Sequence, residues 1–169
     1  MFLQLKEVSI QFGGLTVIEN MSLALGSGEL IGIIGPNGAG KTTAFNLISG
    51  IYQPTRGEIF VKGRSVRGLK AYEISRLGVI RTFQNIRLFS TLSVLENILV
   101  SMHPRGSYGL VPAFLGGKKF DLVEKIFREE AMALLKIFSL AHLCDHEAGS
   151  LPYGVQRKIE VVRALAGRP

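Results

Sequence analysis

Nine consecutive residues carry the clearest chemistry in this sequence. The stretch Gly35-Pro36-Asn37-Gly38-Ala39-Gly40-Lys41-Thr42-Thr43 matches the phosphate-binding pattern G-x-x-x-x-G-K-[ST] at every fixed position. Glycines let the main chain curl so that successive N–H groups point at one set of phosphate oxygens, and a following helix adds the positive end of its dipole. We expect Lys41 to reach the terminal phosphates and the Thr42 hydroxyl to bind Mg²⁺.

The segments on either side of this phosphate loop strengthen the interpretation. Residues 30–34 form a short apolar run typical of a buried strand, and residues 43–49 are predicted to form a helix that Gly50 ends. A strand before the loop and a helix after it are the context that phosphate binding requires. A glycine-rich turn that matches by chance is therefore strongly disfavoured.

Three residues outside the loop are further candidates for ligand contact. Gln84 follows residues 78–83, a predicted strand, and a residue at the carboxyl end of a strand often faces ligand, although a loop amide fits equally well. Phe12 lies in a predicted turn, where its ring stacks on a base or staples two strands, and the spacing favours the staple. Gly154 stands near the start of a predicted helix, which leaves N–H groups able to approach a phosphate.

Hydrophobic periodicity predicts the elements that position these residues. Residues 2–10 and Leu15–Leu25 are predicted strands, residues 58–61 an edge strand and residues 71–77 a short helix. Longer helices are predicted at 92–102, with Ser93 and Glu96 as a capping box, at 121–138 and at 154–166. The apolar stripes assigned to the core are Leu122, Ile126, Phe127, Ala131, Leu134, Leu135 and Phe138 on one helix, and Val155, Ile159, Val162 and Ala166 on the other. Residues 104–117, rich in Gly and Pro, are predicted to be a loop or insertion.

Composition favours a folded cytoplasmic protein. A chain of 169 residues with 47% hydrophobic residues is long and apolar enough for one domain with a core, which excludes disorder. Neither a membrane-spanning run nor a signal peptide is evident. Cys144 is the single cysteine, so no internal disulfide is expected, and it lies with His142, Asp145 and His146 in what we interpret as an ordinary loop, without the paired spacing of a zinc site.

Positive charge is concentrated in residues 61–90, the basic segment. The chain has a net charge of +7, and this segment holds seven basic residues against one acid, Glu73. Such a segment faces nucleic acid or anionic lipid headgroups, or is simply a solvated surface. A base-stacking platform would require aromatic residues interleaved with the basic ones. We expect no such platform in this segment, and therefore no nucleic acid partner.

Taken in order, the phosphate loop, Gln84 and residues 151–157 resemble the ATP-binding subunit of an ABC transporter. Residues 81–89 (Arg-Thr-Phe-Gln-Asn-Ile-Arg-Leu-Phe, the glutamine segment) are similar to the branched-chain amino-acid importer group, as are Leu151-Pro152-Tyr153-Gly154, Gln156-Arg157-Lys158 and Glu160. The resemblance covers the whole chain and implies an α/β fold of the P-loop NTPase, ABC ATPase type. It implies an incomplete parallel sheet from residues 30–34 and 78–83, an antiparallel β region from the N-terminus, and a helical subdomain. The implied division is a β-rich core at 1–91, a helical subdomain at 92–148, and a signature segment with its helix at 149–169.

The resemblance also assigns roles, cofactors and partners. It implies ATP and Mg²⁺ as cofactors, Phe12 stacking on adenine, Gln84 linking Mg²⁺ and water to the permease contact, and Gly154 binding the γ-phosphate of ATP held by a second subunit. The implied partners are membrane permease subunits, a second ATP-binding subunit in a homo- or heterodimer, and indirectly a solute-binding protein. The implied location is peripheral, on the cytoplasmic face of the inner (plasma) membrane.

The sequence departs from the family in two places. The usual signature is Leu-Ser-Gly-Gly-Gln; here Pro152 and Tyr153 replace Ser and the first Gly, and Val155 replaces Gln. The family's strand that ends in Asp-Glu, and its switch histidine, do not occur, so the chain resembles the first two-thirds of a subunit, truncated at the C-terminus. We therefore expect ATP binding without hydrolysis, and leave open whether the chain is an enzyme. The alternatives are an inactive nucleotide-binding fragment or interaction module, and, less favoured, an ABC ATPase that acts on DNA or ribosomes.

Overall fold

The computed structural model describes residues 1–103 and 118–169, so the predicted insertion at 104–117 lies outside the described residues. The strands are β1 (Leu3–Phe12), β2 (Leu15–Leu25), β3 (Arg56–Val61) and β4 (Arg64–Ser65); the helices are α1 (Lys41–Ile48), α2 (Ala71–Arg76), α3 (Val94–Met102), α4 (Lys118–Ile137) and α5 (Tyr153–Ala166). Short 3-10 helices occur at Ala141–Leu143 and Ala148–Ser150. The chain divides into two compact units, Met1–Val79 and Ile80–Pro169, and the predicted division into three segments stays a prediction.

Unit 1 (Met1–Val79) is built on a four-stranded antiparallel sheet in the order β2-β1-β3-β4. Its core contains the predicted apolar residues of β1 together with Leu47 of α1 and Ile74 of α2. The predicted antiparallel β region is therefore confirmed. The edge position predicted for residues 58–61 is wrong, because β3 pairs with β1 on one side and with the two-residue strand β4 on the other.

The two predicted parallel strands do not form in the described residues. Residues 30–34 and 78–83 have no strand pairing, and Leu30 and Ile34 are 99% and 95% exposed. A strand forms only where a neighbour satisfies its main-chain N–H and C=O groups, and no described segment pairs with residues 30–34. The apolar run is left uncovered, which is an aggregation hazard for these residues in isolation.

Unit 2 (Ile80–Pro169) packs α3, α4 and α5 around one core. The predicted stripe on α5 is confirmed, with Ile159, Val162 and Ala166 fully buried and Val155 packed against the same cluster. On α4 the prediction is partly wrong: Phe127, Ala131 and Leu135 are buried, whereas Leu122 and Ile126 are 58% and 49% exposed. Consecutive helical residues are about 100° apart, so the row through residues 122 and 126 turns away from the buried row that runs through 127, 131 and 135.

Helix α3 begins with the predicted capping box. The Ser93 hydroxyl accepts a hydrogen bond from the Glu96 N–H at 3.2 Å, and the Glu96 carboxylate accepts one from the Ser93 N–H at 2.8 Å. The bond from the Ser93 N–H to the carboxylate is the main cause that holds the pKa of Glu96 below its ordinary value. Among the described residues, no helix is long and apolar enough to cross a bilayer.

We expect Leu135→Ala to lower the free energy of unfolding of unit 2 by about 2–5 kcal/mol, because it leaves a cavity in a fully buried position. Leu122→Ala, the same change at an exposed position of the same helix, is expected to cost only about 0.5 kcal/mol. Urea unfolding followed by far-UV circular dichroism measures both. Equal losses for the two variants would show that the packing of α4 is different.

Candidate functional site

The phosphate loop ends where helix α1 begins, and it leaves that end of the helix open. Gly40 is the N-cap residue, no side chain caps the helix, and its first turn contains no acidic residue. The first helical hydrogen bond runs from the Ala44 N–H to the Gly40 carbonyl at 2.8 Å, so the amides of residues 41–43 precede the helical ladder. These donors and the positive end of the helix dipole together favour an anion at this position.

Glycines at two positions of the loop allow this geometry. Gly38 and Gly40 have φ values of 85° and 80°, in the left-handed region that other residues rarely adopt. A Cβ atom at Gly40 would lie 3.0 Å from the Val17 carbonyl oxygen and 3.2 Å from Cγ1 of Ile18, both on β2. Strand β2 therefore supports the loop at close range, and a larger residue at position 40 would push the two apart.

Lys41 lies across its own loop. Its Nζ donates hydrogen bonds to the Gly35 and Pro36 carbonyl oxygens at 2.7 and 2.6 Å. Since an ammonium group has three N–H donors, these two bonds brace the loop and leave one donor for an incoming anion. The side chain thus fixes the loop curvature and places a positive charge beside the open end of α1.

The residues at this end of α1 fit Mg²⁺ only as a partner of bound phosphate. In the described part of the chain, no group of three or more His, Cys, Asp or Glu residues could hold a metal ion. Mg²⁺ usually takes one or two protein ligands beside substrate phosphates and water, and the exposed Thr42 offers its hydroxyl for that role.

In the loop at residues 142–146, burial chiefly raises the pKa of the Cys144 thiol, whose Sγ donates to Asp145 at 3.4 Å.

Phe12 lies at the end of β1 and contacts an aromatic residue that the sequence interpretation did not single out. Its ring centroid is 5.1 Å from that of Tyr52, with the two rings edge to face at 70°. Phe12 remains 43% exposed, so part of the ring is open to solvent. Tyr52 follows α1 closely along the chain, and the ring pair therefore ties the β1–β2 turn to the segment after the phosphate loop helix. The adenine role stays a prediction.

Gln84 lies in unit 2, exposed and outside any regular element, but its neighbour Phe83 is firmly held. Arg157 of α5 donates a hydrogen bond from Nη1 to the Phe83 carbonyl oxygen, and the Phe83 N–H donates to Glu160 at 3.5 Å. Arg157 and Glu160 also form an ion pair at 2.5 Å, and Glu160 is only 2% exposed. Sequence reasoning missed this contact, since an Arg and a Glu three residues apart usually form an ordinary pair on a helix surface.

Aromatic rings do lie among the positive charges of the basic segment, contrary to the expectation from sequence. The Arg81 and Arg87 guanidinium groups lie 4.8 and 5.3 Å from the centre of the Phe83 ring, and Arg76 lies 5.5 Å from that of Tyr72. Burial lowers the pKa of Arg81 from its ordinary value. These rings are engaged by arginines of the same chain in cation–π contacts.

A buried asparagine holds the other end of the glutamine segment. Asn97 of α3 is fully buried; its Oδ1 accepts from the Phe89 N–H at 2.9 Å and its Nδ2 donates to the Phe89 and Ser93 carbonyls at 3.0 and 2.9 Å. The signal available in the sequence was a single amide among apolar residues of α3. Its role is structural: it satisfies main-chain groups of a segment that has no strand partner.

Gly154 is the second residue of α5, whose amino end is also open. The first main-chain bonds run from the Val155 and Gln156 N–H groups to the Pro152 carbonyl at 2.9 and 3.0 Å, so the Tyr153 and Gly154 amides precede them. The first turn has no acidic residue and no side-chain cap. A Cβ atom at Gly154 would meet nothing within 4 Å, so the surface beside it is open. The predicted site residues are thus divided between the two units. Gln84 and Gly154 belong to unit 2, and Phe12 and the phosphate loop belong to unit 1.

The phosphate loop and the open end of α1 together define a nucleotide-binding domain of the P-loop class. The sequence profile of the ABC transporter family matches residues 18–169, which is most of the chain. This chain belongs to the ABC transporter family.

Curated relatives agree with this assignment. The chain is 39% identical over 160 residues to the high-affinity branched-chain amino acid transport ATP-binding protein LivG of Salmonella typhimurium, covering 95% of the chain and 63% of the relative. It is 37% identical to LivG of Escherichia coli and to BraF of Pseudomonas aeruginosa, in each case over 99% of the chain and 66% of the relative. The chain thus spans about two thirds of the length of these relatives.

Solved structures confirm the predicted fold class. A nucleotide-free ATP-binding cassette from an ABC transporter is 29% identical with a TM-score of 0.79, covering 99% of this chain and 66% of that one. An ABC transporter cassette in its ADP conformation is also 29% identical, with a TM-score of 0.80 and coverage of 99% and 65%. The fold is that of a P-loop ABC ATPase, although the described residues contain only its antiparallel strands.

We expect Lys41→Ala to weaken MgATP binding by about 2–3 kcal/mol, which is about 30- to 150-fold in Kd, because a charge-assisted contact to phosphate and the brace across the loop are both lost. Titration calorimetry measures the effect. Lys6→Ala is the matched control, since Lys6 lies in the same unit over the Phe60 ring, away from the loop. Equal affinities for wild type and Lys41→Ala would remove Lys41 from the site.

Proposed function

We propose that this chain is the ATP-binding part of an ABC importer subunit that energises uptake of branched-chain or related amino acids through a membrane permease. The observation that carries the proposal is the open amino end of α1 beneath a braced phosphate loop. The choice of solute class rests on the similarity to LivG and BraF over 95–99% of the chain.

Each residue of the loop has a definite task in this proposal. The amides of residues 41–43 donate to the β- and γ-phosphates of ATP, and Lys41 uses its remaining N–H on the γ-phosphate. The Thr42 hydroxyl would hold Mg²⁺, which would supply charge neutralisation at the phosphates. Gln84 is a separate proposed Mg²⁺ ligand, which the family resemblance assigns. The exposed part of the Phe12 ring stacks on adenine, backed by Tyr52.

The proposal also includes partners. A second ATP-binding subunit provides the complement to Gly154, whose free amide and open surface suit a γ-phosphate held by the other subunit. The helices of unit 2 contact the permease, and a solute-binding protein acts upstream of it. The subunit is then peripheral on the cytoplasmic face of the inner membrane, where the basic segment faces anionic headgroups.

Two acidic residues of unit 1, Glu29 and Glu58, are engaged in hydrogen bonds with other groups of the same unit. The Glu29 carboxylate accepts from the Gly26 N–H at 2.5 Å, and the Glu58 carboxylate accepts from the Ser65 hydroxyl at 2.6 Å. Hydrolysis requires a group that orients the attacking water; none of the predicted site residues is a carboxylate, and the family resemblance gives this task to Gln84. We therefore propose that these 169 residues bind ATP without turning it over.

Phosphate release by the purified chain under saturating MgATP tests this directly. We expect a rate about 10² to 10⁴ below that of an ATPase with a general base, because none of the predicted site residues is a carboxylate. Lys41→Ala is the control for contaminating ATPase. Turnover of about one per second, abolished by Lys41→Ala, would reveal a catalytic carboxylate elsewhere in the chain.

Membrane association is a separate expectation of the proposed function. We expect the chain to co-purify from detergent extracts with a co-expressed permease of the branched-chain type, and to stay in the soluble fraction when expressed without it. The reason is that no described helix can span a bilayer, and the proposed attachment is through the permease and not by insertion. Recovery in the soluble fraction with and without the permease would contradict the expectation.

A further inference from the structure

Helix α5 contacts the main chain of Phe83 through hydrogen bonds of two charged side chains. One guanidinium nitrogen, Nη1 of Arg157, bonds both the Phe83 carbonyl and the Glu160 carboxylate, while the other oxygen of that carboxylate accepts from the Phe83 N–H at 3.5 Å. Both main-chain groups of one residue are thus held by a pair of side chains on one helix turn. We call Arg157 and Glu160 the α5 clamp.

The burial of Glu160 restricts the α5 clamp to one geometry. Glu160 is 2% exposed, and a carboxylate removed from water requires partners that compensate its lost hydration. Arg157 supplies one positive charge, and Arg163 on the next turn interacts with Glu160 as well; burial lowers the pKa of Arg163 and the carboxylate opposes that shift. A charged pair of this kind holds its geometry closely, because any displacement leaves a buried charge unpaired.

Phe83, which the α5 clamp holds, comes immediately before Gln84. Its carbonyl group is part of the peptide bond that joins the two residues. The Phe83 carbonyl belongs to the same rigid peptide plane as the Gln84 N–H. Its orientation therefore fixes the point from which the Gln84 side chain leaves the main chain. The Arg81 and Arg87 guanidinium groups contact the Phe83 ring as well, at 4.8 and 5.3 Å from its centre.

We propose that Arg157 and Glu160 are positioning residues that set the orientation of Gln84 and tie it to helix α5. The inference rests on the proposed function, in which Gln84 assists Mg²⁺ and Gly154 at the start of α5 contacts a phosphate. Any movement of α5 is then transmitted to Gln84 through two side chains. Arg157 reaches both acceptors with one nitrogen of a planar, preorganised guanidinium, whereas a lysine would keep the charge beside Glu160 on a flexible stem that holds the two acceptors less rigidly.

A spin label at position 84 tests the α5 clamp without nucleotide. Gln84→Cys in a Cys144→Ser background places a nitroxide on the glutamine segment, and its rotational correlation time is measured by electron paramagnetic resonance. We expect Arg157→Lys to shorten that time about twofold or more. Arg168→Lys is the matched control, because Arg168 pairs with Glu130 in the same unit at 3.2 Å on a more exposed surface. An unchanged spectrum in Arg157→Lys would overturn the inference.

A double-mutant cycle then separates this inference from the proposed function. The quantity measured by calorimetry is the ratio of the ATP Kd without Mg²⁺ to the Kd with it. We expect Gln84→Ala and Arg157→Lys each to lower that ratio by about tenfold, and the double variant to lower it no further, because both act through one side chain. Arg168→Lys should leave the ratio unchanged.

The outcomes are distinguishable. If the two effects multiply in the double variant, Arg157 acts on something other than Gln84. That result would overturn the inference and leave the proposed ATP binding unaffected. If the wild-type chain binds no ATP, or Gln84→Ala leaves the ratio unchanged, the nucleotide role fails, and the spin-label comparison alone decides whether the α5 clamp orients residue 84. A melting temperature for Arg157→Lys equal to that of Arg168→Lys shows that the comparison is made between folded proteins.

Discussion

The amino end of helix α1 carries main-chain amides that its own ladder cannot satisfy, and the candidate site depends on their staying free. The chain is able to cap a helix, because at α3 Ser93 and Glu96 form a complete capping box. At α1 the cap position is Gly40, which has no side chain, and Lys41 bonds carbonyls of the loop rather than competing for amides. Unit 1 thus lacks a side-chain cap, worth about a few tenths of a kcal/mol relative to glycine, at the helix where a bound anion would replace it.

The main constraint in unit 2 is different, because the irregular glutamine segment must be held in one arrangement. The glutamine segment has no strand partner in the described residues, yet its main-chain groups must find hydrogen bonds where they are shielded from water. Buried polar side chains provide them at both ends, Asn97 at Phe89 and Glu160 with Arg157 at Phe83. Because an unpaired buried amide or carboxylate is costly, such side chains specify one arrangement of the segment rather than adding much stability.

Local signals predicted most of what the structure contains, and nonlocal pairing accounts for the failures. The phosphate loop, the capping box of α3 and the stripe of α5 depend on spacings within a few residues, so the sequence alone predicted them. Residues 30–34 look like a buried strand, but a strand exists only with a partner, which an apolar run does not specify. The Arg157 contact joins residues 74 apart in sequence, and neither its acceptor on Phe83 nor the burial of Glu160 is visible in a helical pattern.

The departure at Pro152 has a physical consequence for the proposed phosphate contact. A serine at that position would bring a hydroxyl able to bond phosphate or to cap α5 by accepting from its first amides. Proline can do neither, so the site loses one donor, but the Tyr153 and Gly154 amides are left without a competing acceptor. Proline also fixes its own φ, and here it lies at −56° just before the helix, which holds these amides in position before an anion arrives. The substitution therefore exchanges one side-chain hydrogen bond for main-chain donors that need no rearrangement, which is a reason to regard Gly154 as a working contact despite the altered signature.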